Sequence, residues 1–260
     1  MNALAARRRH PAAILLILMV GLVVTGGLYA LLAPKPAVAA AAAADDVTAG
    51  KKLFLANCAT CHGRNAEGSA SVPSLAGVGA ASVDFQVVTG RMPLAGPNVQ
   101  APAGNKVKFT DEQIASMGAY VASLGPGPSV PDDEFTKGDG DIARGNELFK
   151  VNCAMCHNFA GAGGALSRGK YAPSLNDVSG KHIYEAMVTG PQSMPVFNDT
   201  NLFPQDKNDI ISYLHELDKN KNPGGNNLGN LGPVSEGLFI WVFGLGLMIA
   251  AAVWLGAKAA

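Results

Sequence analysis

Two long apolar runs frame the chain, and a region of helical periodicity fills the space between them. No charge interrupts the stretch from Pro11 to Pro34, which is rich in Leu, Ile, Val and Ala, and a second uncharged run extends from Gly237 to Ala257. Each reaches the roughly 20 residues that a helix needs to cross the hydrocarbon of a bilayer. Arg7, Arg8 and Arg9 precede the first run. Ala37-Val38-Ala39 offers a small-residue cleavage site, so a secretory signal is the alternative. The run exceeds the roughly 7–15 residues of a cleaved core, which favours a retained anchor, and both readings export the region downstream of it. In the second run Trp241 and Trp254 stand 13 positions apart, about 20 Å along a helix, so each can sit near an interface of a spanning segment.

Between the runs the pattern occurs twice. Ala49 to His62 lines up with Arg144 to His157 at an offset of 95, through Leu53-Phe54 and Leu148-Phe149. Pro73-Ser74-Leu75 matches Pro173-Ser174-Leu175, and Val88-Thr89-Gly90 matches Val188-Thr189-Gly190, both at offset 100. Met92-Pro93 matches Met194-Pro195 at 102, and Tyr120…Leu124 matches Tyr213…Leu217 at 93. Landmarks in constant order with small loop insertions mean two copies of one fold. Each copy predicts a helix with Leu and Phe on one face, a long Gly/Pro-punctuated loop and a closing helix. In the first closing helix Thr110 and Gln113 form a capping box, Ile114, Met117, Val121 and Leu124 supply the apolar stripe, and Gly125-Pro126 stops it. Ile210, Ile211, Leu214 and Leu217 do the same in the second copy. No alternating strand pattern of useful length occurs, so the fold class is mainly α. Gly50 and Gly145 lie one turn before Phe54 and Phe149, where a missing Cβ lets the first helix cross the last closely, near Tyr120 and Tyr213.

The predicted organisation is a basic segment with an anchor or signal over 1–44, a first domain over 45–128 and a second over 129–222. A Gly/Asn-rich leash over 223–235 then leads to a C-terminal span over 236–258. Residues 127–140, with Asp132-Asp133-Glu134, read as an acidic linker.

The 260 residues carry 20 Lys+Arg against 20 Asp+Glu, with 15% charged and 48% hydrophobic. That excludes a mainly disordered chain and gives no basic footprint for nucleic acid. The zero net charge hides an asymmetry. From Asp45 to Pro233 there are 15 basic and 19 acidic residues, while Arg7, Arg8, Arg9 and Lys258 flank the outer ends of the two runs. The positive-inside tendency places both termini in the cytoplasm and the duplicated region outside the cell membrane.

All four cysteines fall into Cys58-Ala59-Thr60-Cys61-His62 and Cys153-Ala154-Met155-Cys156-His157. Two thiols on one helical turn can form thioethers to haem vinyl groups, and the adjacent histidine can ligate the iron. A disulfide framework fits poorly, because each pair is too close to staple a loop. A thioredoxin-like site wants a strand before the pair, and here a helix precedes it. A four-cysteine zinc site has a spacer of roughly 15–20 residues, whereas Cys61 and Cys153 are 92 positions apart. Two covalent c-type haems are therefore expected, with His62 and His157 as proximal ligands. Met92 and Met194, in matched slots and each followed by proline, are the expected distal ligands. Met117 belongs on an apolar helix face, Met155 inside a cysteine loop on the wrong side, and Met187 matches Val87. His182 and His215 lack counterparts in the other copy and read as surface or loop residues. Pro73 and Pro173 are candidates to offer the carbonyl that holds each histidine's other ring nitrogen.

Each copy resembles a class I cytochrome c domain. The whole chain is similar to the dihaem cytochrome c subunits of actinobacterial cytochrome bcc complexes, the menaquinol–cytochrome c reductases. The residues that carry this are Cys156-His157-Asn158-Phe159, Gly163 through Pro173, Thr189 through Pro195, the basic N-terminal segment and the tryptophan-bearing tail. The resemblance implies that menaquinol is oxidised at a cytochrome b subunit and that a Rieske iron–sulfur protein reduces the haem on Cys58/Cys61. It further implies that this haem reduces the one on Cys153/Cys156, which supplies an aa3-type oxidase. The chain is then an electron carrier within a translocating oxidoreductase, with no catalytic residue of its own. A dihaem peroxidase, or an electron-donor subunit of another oxidase or dehydrogenase, are the alternatives.

Overall fold

The computed structural model describes residues 11–32, 44–96, 98–104, 108–220 and 233–259. The chain divides into two compact units, 1–41 and 42–260. Among the described residues the first contains one helix, α1 (Pro11–Leu32), with an 18-residue apolar window in which no residue is buried. At the other end α10 (Pro233–Phe239), a π-helical stretch (Ile240–Leu245) and α11 (Gly246–Ala259) provide a second apolar window, Ser235–Lys258, equally unburied. Both are long and apolar enough to cross a membrane.

The first domain is built from α2 (Ala44–Asn57), α3 (Ala59–His62), α4 (Gly79–Val88) and α5 (Asp111–Ala122). The capping box of α5 is present: Thr110 Oγ1 accepts from Gln113 N, and Thr110 N donates to Gln113 Oε1 at 3.0 Å. Burying Phe54, Ile114, Met117, Tyr120 and Val121 closes α2 on α5. The second domain repeats this with α6 (Ile142–Asn152), α7 (Ala154–His157), α8 (Gly180–Thr189) and α9 (Pro204–Lys219). Its core gathers Phe149, Ile183, Met187, Ile210, Ile211 and Leu214.

The glycine crossing occurs in both copies, one turn earlier on the closing helix than Tyr120 and Tyr213. A Cβ on Gly50 would lie 1.9 Å from the Ser116 carbonyl oxygen, and one on Gly145 1.9 Å from that of Asp209. The tyrosines instead meet the phenylalanines, with ring centroids 5.2 Å apart for Phe54–Tyr120 and 5.5 Å for Phe149–Tyr213. The contacts are offset because side chains of crossing helices interlock one turn beyond the point of closest backbone approach.

Two features lie outside the periodic pattern. Residues Gly164–Ala165 (β1) and Tyr171–Ala172 (β2) form an antiparallel pair, too short for alternation to betray. The acidic stretch between the domains is fastened down. Phe135 packs on the second core, Gly138 N donates to Asn208 Oδ1 at 3.0 Å, and Gly140 N donates to Ser212 Oγ at 2.7 Å. Asn208 Nδ2 donates in turn to Asp139 Oδ1 at 2.8 Å and Ser212 Oγ to Asn208 O at 2.8 Å, so these polar side chains buried on α9 are paired, as burial requires.

The two domains face each other through α4 and α8. Lys181 Nζ lies 2.8 Å from Asp84 Oδ2, and the Phe85 and His182 rings meet edge-on with centroids 6.4 Å apart. Beside them Gln100 clasps the backbone of Tyr171, donating from Nε2 to its carbonyl at 2.8 Å and accepting from its N–H at 3.0 Å.

Candidate haem sites

Both Cys-x-x-Cys-His segments form a single turn continuing from the preceding helix. Cys58 N donates to Phe54 O, and Cys61 N and His62 N both return to Cys58 O, at 2.8, 3.1 and 3.0 Å. The second copy gives Cys153 N to Phe149 O at 2.8 Å, then Cys156 N and His157 N to Cys153 O at 3.1 and 2.9 Å. One short turn therefore presents two sulfurs and an imidazole together. Burial pushes the Cys153 thiol up to about 12, with Cys156 adding to it, and burial likewise raises Cys58. A thiol–disulfide exchange site needs its attacking thiol lowered, so the shifts run against a redox-active pair.

His62 Nδ1 lies 3.0 Å from the Pro73 carbonyl, and His157 Nδ1 lies 2.9 Å from that of Pro173. A carbonyl only accepts, so Nδ1 carries the proton in each ring and Nε2 keeps its lone pair. Burial lowers the pKa of His157, the Pro173 bond opposing it. Two glycines, Gly68 and the Gly163 that opens the segment carrying the resemblance, pin the loops, a role the sequence reading gave to neither. Gly68 N donates to His62 O at 2.7 Å, and Gly163 N to His157 O at 2.9 Å. Their φ values are +74° and +83°, and a Cβ would meet backbone atoms at 2.5 Å in either copy. They stand 95 positions apart, the same offset as the cysteine motifs, and that spacing is the signal that could have found them.

Met194 and the second cysteine motif share one cavity of about 290 Å³, together with His157, Pro173, Phe149 and Leu214. Met92 packs, half-buried, in the same apolar cluster as Cys58, Val87, Ile114 and Met117. Met155 and Met187 also line the second-domain cavity, Met155 being 91% exposed and Met187 buried in the core, while Met117 is buried in the cluster that holds Met92. His182 and His215 need correction. Both sit half-buried on helices, because Ser179 caps α8 three residues before His182 and α9 runs through His215. His182 also lines the cavity.

The second cavity is not the second domain's alone. Phe85, Arg91 and Gln100 of the first domain form part of its wall. The Arg91 guanidinium lies 4.6 Å from the Phe85 ring centroid, half-buried, with its pKa lowered by burial. It makes no ion pair among the described residues. Sulfurs and an imidazole nitrogen on one wall, a thioether among the remaining lining, apolar sides and an unpaired cation suit an apolar macrocycle with two carboxylates. The residues present fit a covalently held haem.

Two cytochrome c folds, each offering a one-turn thiol pair with its histidine, define a cytochrome c built in tandem. The comparisons agree: residues 47–125 match the family "Cytochrome c", and residues 140–214 match "Cytochrome C oxidase, cbb3-type, subunit III". The chain is 44% identical over 228 residues to the "Cytochrome bc1 complex cytochrome c subunit" of Corynebacterium efficiens, covering 82% of this chain and 77% of that one. It is 45% identical over 216 residues to the protein of the same description in Mycobacterium tuberculosis, covering 80% and 77%. A shorter likeness, 31% over 141 residues, covers half of this chain and 44% of the "Cbb3-type cytochrome c oxidase subunit FixP" of Sinorhizobium medicae. The chain belongs to the family of cytochrome bc1 complex cytochrome c subunits.

Proposed function

We propose that this chain is the membrane-anchored dihaem cytochrome c of a menaquinol–cytochrome c reductase, relaying electrons from a Rieske iron–sulfur protein to an aa3-type oxidase. In this reading it sits beside a cytochrome b subunit, with both haem domains on the extracytoplasmic side of the cell membrane. Cys58 and Cys61 would hold one haem, with His62 and Met92 as its iron ligands, and Cys153 and Cys156 would hold the other, with His157 and Met194. The observation that carries this is the repeated bond from a motif histidine's Nδ1 to a proline carbonyl, at 3.0 and 2.9 Å. It fixes the ring and leaves Nε2 as the iron-facing nitrogen.

Bound there, haem iron supplies reversible one-electron oxidation and reduction. His157 and Met194 would hold the group in a cavity that Phe149 and Leu214 help to line against water, and with both ligands in place no position would be left for a small substrate. That argues against the peroxidase alternative. The FixP likeness supports a donor subunit of another oxidase, but it spans half of the chain where the bc1-complex likeness spans four-fifths.

Purification of tagged chain in mild detergent should yield two covalent haems per polypeptide by pyridine haemochrome and intact mass, together with b-type haem, a Rieske protein and a-type haem. Absence of all three partners from intact preparations refutes the proposed assembly. Arg91 gives a further check. Replacing Arg91 by Gln removes a positive charge from the wall of the second cavity and so disfavours the reduced state. The second haem's midpoint potential should fall by on the order of tens of millivolts, read by spectroelectrochemical titration.

A further inference from the structure

Between α4 and α8 lies a cluster that the haem reading does not use. A carboxylate oxygen of Asp84, a carboxylate oxygen of Glu185 and a ring nitrogen of His182 all lie within 4.8 Å of one another. Glu185 is wholly buried, and neither of its oxygens has a hydrogen-bond partner. Lys181 pairs with Asp84 at 2.8 Å and makes no ion pair with Glu185. A buried carboxylate without a donor is costly, so the site wants either a proton or a cation.

A proton would satisfy one carboxyl oxygen but would not draw on the imidazole nitrogen that lies with the two carboxylates. His182 and Glu185 are three positions apart on one helix, so they share a face, and Asp84 approaches from the other domain. One imidazole and two carboxylates are a ligand set suited to zinc, with water completing a tetrahedron.

We propose that Asp84, His182 and Glu185 bind one divalent transition-metal cation of the zinc type, which ties the two cytochrome domains together beside the second cavity. His182 lines the second cavity as well, but none of the three residues is a thiol, histidine or methionine assigned to haem, so the site can fail without touching that assignment.

The test uses the full chain in its detergent-solubilised complex, stripped with a chelator, desalted and titrated with zinc sulfate against a fluorescent zinc chelator. The expected result is one zinc per chain retained through gel filtration, counted against covalent haem by elemental analysis. X-ray absorption at the zinc edge should show nitrogen and oxygen ligands only. E185Q and D84N should each weaken binding at least tenfold while both covalent haems and their spectra persist, which separates ligand loss from misfolding. Zinc binding by the parent protein no stronger than by E185Q overturns the proposal, as does sulfur in the zinc shell. Parent protein that holds no zinc overturns it whatever the variants do, leaving a carboxyl pair that shares a proton.

Discussion

Exchanging Met194 for histidine is expected to lower the midpoint potential of the second haem by on the order of 0.1 V or more, within the roughly 0.8 V that axial ligands span, while the first haem keeps its potential. A thioether is soft and uncharged and favours ferrous iron, whereas a second imidazole favours the ferric state. The position is held by its loop. Gly190 ends α8 with φ +58°, Met194 N donates to Pro191 O at 3.0 Å, and Phe197 N donates to Met187 O at 2.7 Å. A Cβ on Gly190 would lie 2.9 Å from Met194 O, so the chain doubles back closely there. The companion change Met194→Ala takes away the proposed ligand, and carbon monoxide should then bind one reduced haem per chain. Potentiometry on both variants, with carbon monoxide difference spectra, checks the pair. An unaltered second potential in Met194→His would remove Met194 from the iron.

Replacing Gly145 by Val is expected to cost the second domain about 3 kcal/mol or more, the upper end of what overpacking a core does. The added Cβ would stand 1.9 Å from Asp209 O, whereas ordinary carbon contacts begin at roughly 3.5 Å. The obstacle is backbone, so no rotamer relieves it and α6 must move off α9. Phe149 and Ile210, both almost fully buried, then lose their packing, and the cysteine turn at the end of α6 moves with them. For a domain of this size each kcal/mol lowers the melting temperature by roughly 4–8 °C. Circular dichroism melts and haem staining of membrane fractions read the effect, and Gly50→Val should act alike on the first domain through Ser116 O. A melt within a few degrees of the parent would show that α6 and α9 do not cross this closely.

The duplication, the mainly helical class, the cysteine turns and both proline carbonyls were legible because they depend on local geometry. Spacing along one helical turn fixes which side chains share a face, and a landmark that recurs at a constant offset carries its fold with it. Gly68 and Gly163 were legible by the same offset, although two isolated glycines in a glycine-rich chain do not stand out. The β1–β2 pair was not, since two residues per strand leave no alternation to read.

The chain's residue order, by itself, determined two cytochrome c folds with their thiols and histidines on single turns, and two helices apolar enough for a membrane. Only the tertiary structure decided what those folds do to each other. Arg91 and Gln100 reach the second cavity, Asp84 meets His182 and Glu185, and the acidic stretch is tied to α9 rather than left loose. The acidic stretch meets α9 within one domain, 70 and 72 positions away, while the other contacts cross between domains. Their proximity depends on how two surfaces dock, and docking leaves no periodic trace in either surface's sequence.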